Sequence, residues 1–285
     1  MTTQEKHTNG EENFFKKLEV PHPKSKEAIW EELSKKLPGE TTLKKETSVI
    51  PMQSFRLAAA AAAVLLVGVS LFFGLYTRTI DCNKGEHLAY TLPDGSEVTL
   101  NAGSSISYNP FLWNMNRELS LEGEAFFEVN KGSTFTVTSA MGSTQVLGTS
   151  FNISTWNNRY EVYCATGKVK VIAHITKEEV TLSPTQFVRI NGGMSLLKDK
   201  EAIQVLAWKK KKFHFTARPL SEVFDEMERQ YNIVIELKAA EQAEQTYTGH
   251  FNYSSNPEEA LNLICAPFGF TFVKQATGSY LVSQN

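Results

Sequence analysis

Twenty consecutive residues without a charge, LAAAAAAVLLVGVSLFFGLY from Leu57 to Tyr76, constrain this chain more than any other feature. At ~1.5 Å rise per residue, a helix of that length spans about 30 Å, the hydrocarbon thickness of a bilayer. Arg56 and Arg78 bracket the run closely. Residues 1–56 precede it and many are charged, which argues against a cleaved leader. Cys82 follows it, but Thr79-Ile80-Asp81 lacks the small residue that precedes a lipidated cysteine. The competing reading is a buried helix of a soluble protein, for which so long an apolar run is unusual. The expectation is a single-pass membrane protein with a short tail, residues 1–56, a transmembrane helix, 57–76, and a large region beyond. Lys44, Lys45 and Arg56 lie before the segment, while Arg78 and Lys84 follow it mixed with Asp81 and Glu86. That bias puts the tail in the cytoplasm. Ala59, Ala63 and Gly68 are small positions where another helix can approach the backbone.

The 285 residues are 41% hydrophobic and 21% charged, the composition of an ordinary globular chain. The formal net charge of -2 gives no electrostatic basis for binding nucleic acid directly. All three cysteines, Cys82, Cys164 and Cys265, follow the apolar run, without CxxC or zinc spacing. A Cys164–Cys265 disulfide is open in an oxidising compartment, but buried thiols packing as small hydrophobes are the expectation.

In the tail, residues 1–12 are polar and read as disordered. Ser25 then stands before Lys26 to Leu37, with Pro38-Gly39 after it. Ile29, Trp30, Leu33 and Leu37 make one face of an amphipathic helix. Phe14, Phe15 and Leu18 form a smaller cluster. So short a tail buries little by itself, so the Trp-bearing face reads as a docking surface for a partner groove, against a helix lying on the membrane or an idle spacer.

Beyond the membrane segment the chain alternates short strands and turns. Leu88–Leu92 and Glu97–Leu100 flank Pro93-Asp94-Gly95-Ser96, a strong hairpin signal. Strands are expected at 105–108, 118–121, 125–129, 134–138, 144–147, 151–155, 160–164, 168–173 and 186–190, with bulges or turns at Gly148 and Gly167. Such a series argues for an all-β sandwich or stacked-sheet domain over residues 80–200. After a connector at Ala202–Trp208 the pattern changes. Phe213–Phe215 reads as a strand, Pro219–Tyr231 as a helix ending at Asn232, and 233–237 and 247–251 as strands. A helix from Pro257 capped by Asn256 follows, then a 270–273/279–282 hairpin around Gly278. That is a βαβ pattern repeated twice, a small α+β domain over 208–285.

No catalytic constellation is legible, and no cofactor or metal is expected. The six histidines include no HExxH, and His174 and His250 read as structural. Gly148-Thr149-Ser150 lacks the flanking pattern of a nucleophile elbow. Asp94 is explained by its turn. Lys209–Lys212 read as a solvated linker. Asn152-Ile153-Ser154 matches a glycosylation triplet but falls in an expected strand.

The motifs LPDGSEVTLNAGSSISYN (92–109), LEGEAFFEV (121–129), FTVTSA (135–140), VLGTSFNIS (146–154), ATGKVKV (165–171) and LSPTQFVRI (182–190) resemble the FecR family of anti-sigma factors. AWKKKKFHFTARPLSEVFDEMERQYNIVIEL, then YTGHF and the helix from Pro257 to Phe270, resemble its C-terminal domain in Bacteroidetes-type proteins. That domain is similar to the secretin/TonB short N-terminal domain. The chain departs from the family in carrying lysines at 210–212 where a glycine is usual, and in a tail short for a full anti-sigma domain.

The resemblance implies a non-enzymatic inner-membrane regulator, N-terminus cytoplasmic and C-terminus periplasmic. It would relay a signal from an outer-membrane TonB-dependent, SusC-like transporter to a cytoplasmic extracytoplasmic-function (ECF) sigma factor, controlling genes for glycan or iron uptake. Ile29, Trp30, Leu33 and Leu37 would meet the sigma factor. The strand Tyr247-Thr248-Gly249-His250-Phe251 would pair with the signalling domain of the transporter. An intramembrane protease would cut near Ala59, Ala63 and Gly68. Two alternatives stand beside this: a membrane-anchored periplasmic adaptor or glycan-binding protein without a sigma partner, and an anchored periplasmic hydrolase.

Overall fold

The computed structural model describes residues 24–37, 52–191, 193–198, 202–238 and 243–284. They belong to two units, one ending at Ala60 and one running from Ala61 to Asn285. In the first, α1 (Lys26–Lys36) starts where Ser25 Oγ accepts from the Ala28 amide at 3.3 Å. Its sequence also supplies Glu31–Lys35 and Glu32–Lys36 pairs one turn apart. No residue of α1 is buried. The Phe14, Phe15 and Leu18 cluster, Pro38-Gly39 and the expected disorder of 1–12 fall outside the described residues. Helix α2 (Met52–Leu75) contains the apolar run as far as Leu75, one residue short of the expected end, and its stretch Phe55–Leu75 is long and apolar enough to cross a membrane.

The β-region is a sandwich of two seven-stranded sheets. One has the order β1 (Arg78–Asp81), β4 (Ser105–Tyr108), β5 (Arg117–Glu122), β7 (Phe135–Thr138), β8 (Gly142–Val146), β11 (Val169–Ala173), β12 (Glu179–Leu182). The other runs β14 (Gly193–Lys198), β13 (Gln186–Asn191), β10 (Tyr160–Cys164), β9 (Ser150–Ser154), β6 (Glu124–Glu128), β3 (Glu97–Leu100), β2 (Leu88–Thr91). Neighbours are antiparallel except β5 and β7. Alternation places Leu119 and Leu121, or Val169, Val171 and Ala173, toward the partner sheet. The core is aromatic, with Phe127 stacked on Phe151 and Trp113 edge-on to Phe135. The Asp94-Gly95 turn joins β2 to β3 as expected, with Gly95 at φ 77°.

Three strands escape the sequence pattern. β1, β12 and β14 each sit at a sheet edge, where one-sided pairing does not demand a run of apolar residues. In β1 only Ile80 is apolar, and the strand exists because it pairs with β4 from Arg78↔Tyr108 to Asp81↔Ser105.

The C-terminal part follows the expected order but splits its strands between two sheets. β15 (Lys212–Pro219) and β17 (Thr246–Asn252) form an antiparallel pair. β16 (Ile235–Leu237), β19 (Tyr280–Gln284) and β18 (Phe270–Lys274) form the other sheet, with β16 and β19 parallel. α3 (Leu220–Tyr231) and α4 (Pro257–Cys265) bury Leu220, Val223, Phe224 and Met227, and Ala260, Leu261 and Ile264. Asn232 ends α3 in the left-handed conformation, and Asn256 Oδ1 accepts from the Glu258 amide at 3.0 Å.

All three cysteines are buried free thiols. Cys164 belongs to the sandwich core and Cys265 to the C-terminal core, so no bridge joins them. Burial pushes both thiols up to about 11, which removes thiolate reactivity.

Candidate functional site

The sandwich meets the C-terminal domain on the outward face of its second sheet. Strands buried on both faces read as apolar doublets. Phe126 and Phe127 are both buried, as are Tyr163 and Cys164, and Phe187 and Val188. One residue of each pair joins the sandwich core. Tyr163 and Phe187 lie under Val205 and Leu206 of the connector. Those doublets were the available sign that this face is covered. Lys209–Lys212 are exposed, as expected, but Lys209 also makes contacts: its Nζ lies 3.6 Å from the centre of the Phe126 ring and 3.4 Å from Glu128.

At the centre of the joint is Glu124, half-buried on β6. Asn101 Nδ2 donates to its Oε2 at 2.9 Å, and Asn152 Nδ2 donates to its Oε1 at 2.8 Å. Each asparagine also accepts from the other domain. Gln230 Nε2 donates to Asn101 Oδ1 at 2.7 Å, and Trp208 Nε1 donates to Asn152 Oδ1 at 3.3 Å. Gln230 Nε2 also reaches Glu226 Oε1 at 2.9 Å, and His87 Nε2 lies 3.1 Å from Gln230 Oε1. Burial, and then the charge of Glu226, push the Glu124 carboxyl up to about 7 against the pull of the two asparagines. The buried Asn152 has no surface for a glycan.

Beside Glu124 lies a polar cavity of about 250 Å³, lined by both domains. Arg189 Nε pairs with Glu161 Oε1 at 2.6 Å, and Arg218 bridges Glu161 at 3.6 Å and Glu222 at 3.1 Å. Arg159 pairs with Glu222 from the sandwich side. Arg229 pairs with Glu226 at 2.6 Å and lies 4.4 Å above Trp156. A second cavity, about 240 Å³, is bounded by Gly85, His87, Trp208 and Tyr253. The joint is thus held by hydrogen bonds and ion pairs rather than a continuous apolar core. Polar contacts of this kind can be exchanged for water when domains separate. Among the described residues no cluster of three or more His, Cys, Asp or Glu could hold a metal ion.

Of the residues singled out from sequence, Ile29, Trp30, Leu33 and Leu37 all stand exposed on or just after α1, Trp30 at 73%. Ala59 and Ala63 are exposed one turn apart. Gly68, nine residues beyond Ala59, faces the opposite side at about 100° per residue, and nothing lies within 4 Å of where its Cβ would be. In β17, Tyr247 is buried and Phe251 half-buried, packed respectively on Phe215 and Phe213, whereas Thr248 and His250 face solvent. Thr248 Oγ1 accepts from the Ala217 amide, at the bulge of β15, and His250 stacks on His214 across the pair. Among the described residues, the second edge of β17 pairs with no strand. The Arg117–Asp94 pair is a structural feature that the sequence reading passed over: Asp94 closes its turn and anchors a buried arginine.

The family described as FecR protein matches residues 78–170, and the one described as FecR, C-terminal matches 212–281. The chain belongs to the FecR family of anti-sigma factors. Two crystal structures of a candidate anti-sigma factor from Parabacteroides distasonis are similar to it. One is 28% identical over 74% of this chain and 100% of that one, with a TM-score of 0.67. The other is 29% identical over 73% and 99%, with a TM-score of 0.66. No curated protein matches. The family and these structures support a signalling regulator.

Proposed function

We propose that this FecR-family protein is a single-pass inner-membrane anti-sigma factor, with its tail in the cytoplasm and its two β-rich domains in the periplasm. It carries a signal from an outer-membrane TonB-dependent, SusC-like transporter to an ECF sigma factor. The observation that carries this reading is the combination, in one chain, of an exposed Trp30 face on a capped amphipathic helix, a membrane-length helix, and FecR domains beyond it. The sigma factor would take Ile29, Trp30, Leu33 and Leu37 into a groove, the usual mode for an amphipathic helix. The transporter's signalling domain would add a strand along the open edge of β17, at Tyr247 to Phe251.

Transmission across about 30 Å of helix is more readily achieved by cutting it than by a small displacement. An intramembrane protease acting near Ala59, Ala63 or Gly68 would release the tail. Because Gly68 lies opposite Ala59, Leu substitutions there test two separate faces for protease entry. The decisive experiment is co-purification of the full-length protein with ECF sigma factors co-expressed with it, with and without Trp30→Ala. Retention lost in the variant supports the reading; no sigma factor retained by the wild type leaves a periplasmic adaptor.

A further inference from the structure

The turn between β4 and β5 has no part in that scheme. Residues 109–116, NPFLWNMN, carry no charge. Trp113 is buried and packs edge-on against Tyr108 and Phe135, at 5.1 and 5.8 Å. It staples the turn to the core. Its apolar neighbours go outward: Phe111 is 50% exposed, Leu112 37% and Met115 87%. Turns of this kind are normally polar, and contiguous exposed apolar side chains mark an interaction surface.

What covers this surface follows from what stands beside it. Asn109 Nδ2 donates to the carbonyl oxygens of Phe73 and Gly74, at 2.9 and 3.0 Å. These lie in the last turn of α2, where carbonyls lack a helical partner. The Oδ1 of the same side chain accepts from the Phe111 and Leu112 amides at 2.9 and 3.2 Å. One asparagine therefore caps the helix and shapes the turn. The Phe111 ring meets Phe73 and Tyr76 edge-on at 4.7 and 5.3 Å. Phe73 is inside the apolar span Phe55–Leu75. The turn therefore lies level with the end of the span, where interfacial aromatic residues concentrate.

We propose that residues 109–116 enter the headgroup boundary of the outer leaflet and seat the sandwich on the membrane from which α2 emerges. Phe111, Leu112 and Met115 are the side chains in contact with lipid. The inference rests on α2 spanning the bilayer. Its consequence is a fixed posture for the β-domain: β1 begins at Arg78, three residues after α2 ends, and pairs with β4, the strand that leads into the turn.

The test uses the full-length chain in phosphatidylethanolamine/phosphatidylglycerol vesicles, with an environment-sensitive fluorophore on one introduced cysteine and a nitroxide-bearing lipid as quencher. The native thiols are buried and unreactive. The labelled variants are Met115→Cys, Val67→Cys in the span, and Ile175→Cys. Ile175 is exposed in the turn between β11 and β12, across the sheet from β1. Loss of most of the fluorescence at 115 and 67, but not at 175, is expected. Quenching at 67 with none at 115 overturns the seating while α2 remains in the bilayer. Quenching at neither removes the membrane reading and the seating with it. A disulfide joining two unlabelled Met115→Cys chains through their introduced thiols, without lipid quenching of the labelled ones, assigns the face to a second copy and also overturns the proposal.

Discussion

Asn152 donates to Glu124 through Nδ2 at 2.8 Å while its Oδ1 takes the indole N–H of Trp208 at 3.3 Å, so one side chain joins a half-buried carboxyl to the neighbouring domain. The network as drawn suits an ionised Glu124, since both asparagine amides point donors at it. Burial favours the protonated form, and the balance lies near neutrality.

Stability across this joint is therefore expected to depend on pH. The Glu124 carboxyl moves from 4.5 unfolded to about 7 folded, so between those values the native chain binds more protons than the unfolded one. Stability falls as pH rises through that window, by roughly 3 kcal/mol in all at 1.36 kcal/mol per unit. Thermal melts of the wild type and Glu124→Gln from pH 4.5 to 8 check it. The difference between their Tm values should change across the window, and a constant difference refutes the assignment.

Asn152→Ala removes a donor from Glu124 and leaves the buried Trp208 N–H unpaired. A loss of about 3 kcal/mol is expected, from an orphaned donor plus a weakened bond to a charged group. Because Asn152 pulls the Glu124 carboxyl down, the pH midpoint should also move upward. Denaturant melts at several pH values measure both effects.

Arg117 is buried and donates to Asp94, to the Ser133 carbonyl at 2.8 Å and to the Asn130 carbonyl at 3.1 Å. Arg117→Ala strands a carboxylate and two carbonyls, and a cost of about 3–5 kcal/mol is expected. Arg117→Lys should recover little of it, because an ammonium cannot reproduce the guanidinium fork. Burial pushes Asp94 up, but the Ser96 hydrogen bonds and Arg117 outweigh it and hold the carboxyl below its usual value. This contribution is present above the ordinary carboxylate range and is lost as pH falls through the lowered value, opposite in sign to that of Glu124. Acid titration of the Asp94→Asn variant against wild type separates the two.

Trp30→Ala should weaken sigma-factor retention by at least 10-fold, the scale of a buried aromatic anchor. Melting of the sandwich and the C-terminal domain should not move, since no residue of α1 is buried. Affinity measured by pull-down titration, alongside a melt of the same sample, checks both halves.

The Tyr253 amide donates to the Lys211 carbonyl at 2.8 Å, so by strand alternation the amides of residues 251, 249 and 247 face β15. The His250 amide then faces the open edge. Under the strand addition proposed above, His250→Pro should abolish capture of a transporter signalling domain while keeping the β15–β17 ladder, because proline removes only an outward donor. Binding by calorimetry and an unchanged circular dichroism spectrum are the readouts. Retained binding would move the interface elsewhere.

Much of this protein is determined locally. The span Leu57–Tyr76, the Asp94-Gly95 hairpin, the Ser25 and Asn256 caps and the β–α order of the last 70 or so residues follow from charge, periodicity and turn chemistry, which act over a few positions. The exposed Trp30 face is legible for the same reason. The edge strands β1, β12 and β14 are not, because pairing with a distant neighbour decides them. Nor is the joint: Asn101, Glu124, Asn152, Trp208 and Gln230 lie up to 129 positions apart in sequence. The charge of a residue such as Glu124 suits solvent in any local reading. Only the tertiary fold brings Asn101 and Asn152 to that carboxyl, and only the docking of the C-terminal domain on this face shields it from water. The same holds for Asn109, an ordinary turn residue by sequence, which tertiary structure turns into the cap of a helix that ends 34 residues earlier.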